Sequence, residues 1–282
     1  MALCCNDLGD KKNELDKVVN TSSSSADVIN YLFTNDSWSR FSSEIKASRE
    51  MMQLPIIHFS ALCFYTAYVL HMGEVEIPKV VSFTGMGSKY ISLINQSKDS
   101  IAQIINAIFK KAGEIFDNPD LKNANVSVKF PPNPKEITAE GALISKNYPN
   151  SINPSEDIYF GFDNEIPGKT FRIRDLNAGV QSNVLSFFEK FIDLLSDESV
   201  TDVFVDQGYN ISSDIISALR KNATPSFTQM EDRIKAGQIA AAKVTEPMFF
   251  WPLKNSLYVI GKQLAQKAIN AKQVNNGADG DF

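Results

Sequence analysis

Apolar residues follow two patterns along the chain, short continuous runs and longer stretches with helical spacing. The continuous run Lys79–Thr84 predicts a strand buried on both faces of a parallel sheet. A second strand is predicted at Asn125–Phe130. Between them, Ser97–Phe116 carries isoleucines three and four positions apart, which is the spacing of an amphipathic helix. Strand, helix and strand in this order predict an α/β fold.

Helical patterns precede this segment. We predict helices at Ala26–Thr34 and Ser39–Gln53, followed by a third that starts at Pro55 and ends near His71. Pro55 is placed in the first turn, where a missing N–H costs little. Gly73 is the expected stop, because glycine commonly ends helices.

The most apolar segment of the chain is Leu54–Met72, and it is interrupted by a proline, a histidine and hydroxyl-bearing side chains. A membrane span needs about 20 predominantly apolar residues, so we expect a core helix here. The start, Met1–Cys5, has neither the basic flank nor the apolar stretch of a signal peptide. The sequence therefore predicts a cytoplasmic protein without a membrane span.

A segment rich in Asn, Pro and Ser, Asn147–Pro154, marks a boundary. Beyond it, Asp157–Phe162 and Lys169–Arg174 are predicted to pair as a hairpin. The remainder is predicted to be helical, with apolar stretches at Val184–Leu195, Ile211–Leu219 and Phe249–Ala268. The boundary and these predicted elements divide the chain into three segments: a helical segment at 1–78, an α/β lobe at 79–150, and a hairpin with a helical extension at 151–282.

The aromatic cluster Met248–Leu253 has two interpretations. An exposed cluster would be a docking surface for another domain or chain. An inward-facing cluster would start a core helix, which is the commoner place for large apolar side chains.

Composition and charge narrow the function classes. Of the 282 residues, 43% are hydrophobic and 22% are charged, as in soluble globular proteins. The net charge of −5 argues against a nucleic-acid binder, which would carry a basic face. The three cysteines fit a reducing compartment, and together with the two histidines they offer few zinc ligands: Cys4, Cys5, Cys63, His58 and His71.

The stretch best suited to a ligand is a glycine turn after the first predicted strand. Gly85 and Gly87 allow the main chain to approach a bound group closely. Ser88 is predicted at a helix N-cap, so that free N–H groups face the turn. This arrangement suits a nucleotide or another anion, and a tight turn without a ligand is the alternative. A dinucleotide fingerprint would need a third glycine, where this chain has Tyr90.

Two stretches resemble the second half of the actin-like ATPase superfamily, which includes actin, the large heat-shock chaperones and sugar kinases. Residues 81–88, Val-Ser-Phe-Thr-Gly-Met-Gly-Ser, resemble its adenosine motif. Residues 133–142, Asn-Pro-Lys-Glu-Ile-Thr-Ala-Glu-Gly-Ala, resemble the loop and helix that close the same lobe. The region also looks like a group of large, uncharacterised bacterial proteins with such a domain. The resemblance implies a partial ribonuclease-H-like lobe followed by a mostly helical extension.

The resemblance implies that ATP lies against the glycine turn. The main chain of Gly85, Met86 and Gly87 would approach the adenosine, with the Ser88 hydroxyl nearby. Lys89 would reach an edge of the base or a phosphate. A solvated lysine is the alternative.

Two further cations, Lys46 and Arg49, are expected to face the same cleft. The flat guanidinium of Arg49 can stack on a purine. The alternative is a solvent-exposed helix face, with Lys46 and Glu50 paired four positions apart.

The superfamily holds phosphates and Mg²⁺ with two aspartate-glycine turns upstream of the adenosine strand. Asp7-Leu8-Gly9 is the only candidate here, and it suits a polar surface turn better. The resemblance therefore implies the carboxy-terminal half of a longer protein, with ATP as a possible ligand, Mg²⁺ bound by the missing half, and that half as its partner. This half alone is not expected to hydrolyse ATP. The alternative function is an interaction module that binds a protein partner through residues 151–282.

Overall fold

The computed structural model describes residues 42–43, 45–46, 48–84, 88–131, 178–228 and 247–278. Helices account for 74% of the described residues. The elements are α1 (Arg49–Met72), β1 (Val80–Ser82), α2 (Ser88–Ile94), α3 (Lys98–Ile115), α4 (Pro119–Lys122), β2 (Ser127–Lys129), α5 (Ala178–Leu195), α6 (Glu198–Asp206), α7 (Ser213–Ala223) and α8 (Phe250–Ala278). The described part is helix-rich with one small sheet, so the α/β expectation holds only for the segment between β1 and β2.

β1 and β2 pair in parallel, as predicted, with Val81 opposite Val128. Each strand is only three residues long. The expectation that β1 is buried on both faces is wrong, because Val80 and Ser82 are exposed and Val81 is half-buried. In β2 the exposure alternates and only the central valine is buried. This alternation is typical of a sheet that is covered on one face.

α1 is longer than predicted and has no break before its proline. Ser48 caps the helix, since the Met51 N–H donates to the Ser48 Oγ at 3.2 Å. Pro55 therefore lies inside the helix and not in its first turn. An internal proline loses a hydrogen bond and costs about 3 kcal/mol in an exposed helix. The burial of eleven of the 24 residues of α1 offsets this cost.

By length and hydropathy, α1 meets the criteria for a candidate membrane span, and half of its most apolar stretch is buried within the protein. Phe64 lies at its centre and is fully buried. The Phe64 ring centroid is 5.2–5.9 Å from the rings of Phe116, Phe187, Phe191 and Phe249. These contacts give α1 the position expected of a core helix.

One cluster of buried side chains joins α1 and α3 to the helices that follow residue 178. The aromatic stretch Met248–Leu253 belongs to this core: Met248, Phe249 and Leu253 are fully buried. The inward-facing interpretation of that stretch is confirmed, and an exposed docking surface there is excluded. The predicted apolar faces of α3, α5 and α7 are also buried.

The C-terminal end of α1 differs in one detail from the sequence-based expectation. Gly73 ends α1, as predicted, but its φ of −82° is right-handed. The left-handed residue is Glu74, with a φ of 49°, and the Val75 N–H closes the turn by donating to the Leu70 carbonyl at 3.1 Å. This is the Schellman arrangement, with a glutamate where glycine is usual. α6 ends in the same way with Gly208, at a φ of 82°.

Several predicted elements lie outside the described residues. They are the helix at Ala26–Thr34, the helix that contains Lys135–Ile144, the boundary at Asn147–Pro154 and the hairpin strands Asp157–Phe162 and Lys169–Arg174.

We expect Glu74→Gly to raise the free energy of unfolding by roughly 0.5–1 kcal/mol, because relief of the left-handed strain exceeds the entropic cost of glycine. Urea unfolding measures the difference. Gly208→Ala is the matched control, since a Cβ there meets nothing within 4 Å and only the backbone strain changes. It should destabilise by about 1–2 kcal/mol. Changes of the same sign in both variants would contradict this account.

The close contact between α3 and α4 supplies a second stability test. A Cβ on Gly113 would lie 2.5 Å from the Lys122 nitrogen and 2.8 Å from the Leu121 Cβ. We expect Gly113→Ala to lower the free energy of unfolding by about 2 kcal/mol, because backbone must move to relieve the overlap. Gly261→Ala is the control: its Cβ would lie 3.5 Å from the Leu54 Cδ1, so thermal unfolding should show a neutral or slightly stabilised protein.

Candidate functional site

The parallel pairing brings the ends of both strands to one edge of the sheet. The Phe83 N–H donates to the Lys129 carbonyl at 3.2 Å, and the rings of Phe83 and Phe130 are 5.7 Å apart. The glycine turn follows Phe83, and the proline-rich loop follows Phe130. Both stretches therefore begin side by side at the carboxyl edge of the sheet, where ligands bind in open parallel sheets.

The candidate residues of the glycine turn are only partly described. Gly85, Met86 and Gly87 lie outside the described residues, and Ser88 and Lys89 are described by their backbone alone. Ser88 is the first described residue of α2, and its predicted role as the helix N-cap stays a prediction.

Tyr90 fixes α2 to α1 directly behind the glycine turn. Its hydroxyl donates to the Pro55 carbonyl at 2.7 Å, and its oxygen lies 3.1 Å from the His58 Nδ1. Because the phenol proton goes to Pro55, the shared hydrogen with His58 belongs to Nδ1. These residues are 32 and 35 positions apart, and no local sequence pattern connects them, so the contact is evident only in the folded chain.

Burial determines the charge of this anchor. It lowers the pKa of His58, with a smaller contribution from the positive charge of Lys254. Burial also raises the pKa of Tyr90 far above its ordinary value. Both side chains are therefore neutral near pH 7, and their role is to hold α2 in place.

A cavity of about 640 Å³ lies between the N-terminus of α1 and the loop that joins α6 to α7. Its volume is within the usual range for small-molecule sites. Lys46 and Arg49 both line it, so the structure brings these two predicted residues together. Among the described residues neither cation forms an ion pair, and the alternative pair between Lys46 and Glu50 does not form.

The opposite wall of the cavity comes from residues that the sequence did not single out. Tyr209 presents a half-buried ring and Val205 an exposed apolar side chain. Gln53 is buried, and its Oε1 accepts a hydrogen bond from the Ser212 N–H at 2.8 Å. Gln53 and Ser212 are 159 positions apart, so only the folded chain shows that they meet.

Within the described part of the chain, no three His, Cys, Asp or Glu side chains group together as metal ligands. No family model matches this chain, and no curated protein or solved structure is similar to it.

The partly buried side chain of His58 predicts a pH dependence of stability. His58 is neutral when folded because its pKa is lowered, whereas an unfolded histidine titrates near about 6.5. Below that pH the unfolded state binds the extra proton, so the free energy of unfolding falls as pH decreases. Urea unfolding from pH 5 to pH 8 should show a shallower decline for His58→Gln than for the wild type. Equal slopes of stability against pH for the two proteins would show that His58 does not cause the pH dependence.

Proposed function

We propose that this chain is the adenosine-binding half of an actin-like ATPase and that it binds ATP at the carboxyl edge of its small parallel sheet. The observation that carries the proposal is the parallel register of β1 and β2. It brings Phe83 and Phe130 to one edge of the sheet, and the glycine turn and the proline-rich loop follow these residues in the chain order of the superfamily motifs. A glycine turn between a strand and a helix allows close approach of a phosphorylated ligand.

In the proposed complex, the site continues along α1 to Lys46 and Arg49, the two cations that line the cavity. Tyr90, two positions after Ser88, bonds to Pro55, and Arg49 lies six residues before Pro55 on the same helix. Six residues of helix span about 9 Å, which is within the length of a nucleotide. In the proposed complex the main chain of Gly85–Gly87 contacts the adenosine, and Arg49 and Lys46 contact the purine or the phosphates.

Hydrolysis is assigned to the complete ATPase and not to this half alone. Phosphoryl transfer depends on positioning and neutralising the phosphates, and the aspartate-glycine turns for phosphate and Mg²⁺ belong to the proposed amino-terminal half. The described sheet has only two strands, and its outer edges carry main-chain groups that further strands can pair with. In the proposed ATPase, the amino-terminal half completes the catalytic site.

The glycine turn provides the test. We expect ATP to raise the Tm of the wild type, since saturation at a hundredfold excess over Kd stabilises by about 2.7 kcal/mol, which corresponds to roughly 5–10 °C in a chain of this size. Gly87→Val should abolish this rise, because its side chain would occupy the space of the ligand. Differential scanning fluorimetry measures both.

Gly261→Ala is the matched control, because it alters a glycine of α8 where the added Cβ makes only an ordinary contact. It should keep the ATP-dependent rise. Circular dichroism confirms that Gly87→Val is folded before titration. An unchanged Tm of the wild type with ATP, or an equal rise in the Gly87→Val variant, would contradict the proposed function.

A further inference from the structure

The cavity at the N-terminus of α1 contains a buried donor group without a partner. Gln53 is only 7% exposed, and its amide oxygen accepts from the Ser212 N–H. A main-chain N–H can only donate, so the amide oxygen must face Ser212 and the NH₂ group points away from it. In the described ranges this NH₂ has no hydrogen-bond partner, although Gln53 lines the cavity. A buried donor of this kind is costly unless a ligand accepts its hydrogen.

Two helix N-termini border the same cavity. Ser48 caps α1 and accepts from the Met51 N–H, and Ser212 caps α7 and accepts from the Ile215 N–H at 3.4 Å. Each serine hydroxyl satisfies one of the main-chain donors that a helix start leaves free. The positive ends of two helix dipoles, of 24 and 11 residues, therefore lie close to the Gln53 amide. Helix starts of this kind favour bound anions.

The charges that line the cavity add to this preference. Lys46 and Arg49 contribute two positive charges, and Glu50 contributes one negative charge. The Glu50 carboxylate accepts a hydrogen bond from the Ser48 hydroxyl at 3.3 Å, and the two cations leave the lining with a net positive charge. Ile56, Val205 and Tyr209 add apolar surface to the lining, and Asn210 and Ser212 add polar groups. An anionic group with an attached planar ring matches this combination.

We propose that this cavity binds the phosphate-bearing end of a nucleotide, with the Gln53 NH₂ as a donor to a phosphate oxygen and with Lys46 and Arg49 as the positive charges beside it. The identification of the ligand as a nucleotide rests on the proposed function. The phosphate subsite itself depends only on Gln53, the two helix starts and the two cations.

The test is isothermal titration calorimetry of the folded chain with pyrophosphate and, separately, with ATP. Gln53→Glu keeps the acceptor for the Ser212 N–H and replaces the free donor with a carboxylate oxygen. We expect this variant to bind pyrophosphate and ATP with at least tenfold lower affinity. Arg49→Gln changes an exposed side chain, which leaves the fold intact, and should weaken both ligands at least threefold. Lys110→Gln removes a lysine from the exposed face of α3 and is the control of equal charge change, with an affinity within twofold of the wild type.

Three results overturn the phosphate subsite: no pyrophosphate binding by the wild type, affinities of Gln53→Glu and Arg49→Gln within twofold of the wild type, or an equal loss in Lys110→Gln. The proposed function fails separately. If Gly87→Val binds ATP as the wild type does while Gln53→Glu weakens pyrophosphate, the subsite stands and the glycine-turn site does not. If Gly87→Val abolishes ATP binding and Gln53→Glu changes nothing, the reverse holds.

Discussion

The burial of α1 is the constraint on which the rest of the structure depends. Phe64, at its centre, contacts rings from the end of α3, from α5 and from the start of α8. These rings come from distant parts of the sequence, so the helix is fixed only when both halves of the described chain have packed around it. That packing keeps Pro55 inside a continuous helix, and it places the polar N-terminus of α1 at the surface beside the α6–α7 loop. The C-terminal helices are therefore part of the core and also form one wall of the cavity.

Two side-chain hydrogen bonds position the candidate site from opposite sides of α1. Tyr90 bonds to Pro55 and fixes the helix that follows the glycine turn, and Gln53 bonds to Ser212 and fixes the start of α7. Both bonds meet α1 within three residues, on the part of the helix that precedes the aromatic core. A change in the position of α1 would thus move the glycine-turn helix and the cavity wall together. This shared support makes the two candidate regions one structural unit, although they are far apart in sequence.

Local signals in the sequence predicted the elements that depend on local interactions. The isoleucine spacing gave the bounds of α3 almost to the residue, and the inward face of α5 followed from its periodicity. Of the predictions that depended on distant contacts, the parallel sheet and the inward-facing aromatic stretch were confirmed, and the others were wrong or absent. Pro55 was placed in a first turn because nothing local indicates that burial stabilises the helix through it. β1 was expected to be buried because its run is apolar, but coverage depends on how many helices reach the sheet. The pairing of Gln53 with Ser212 has no sequence pattern at all.

The electrostatics of the chain decide which groups can hold an anion. The net charge of −5 means that the molecule as a whole does not attract phosphate, so binding must come from a local field. Lys46 and Arg49 are exposed, and at physiological salt their attraction is screened over about 8 Å. The Gln53 side chain is buried and is therefore less accessible to solvent ions, whereas the first residues of α1 and α7 are exposed. In the proposed complex, affinity should therefore depend more on the buried amide than on the two surface cations, whose main effect is to draw an anion towards the opening.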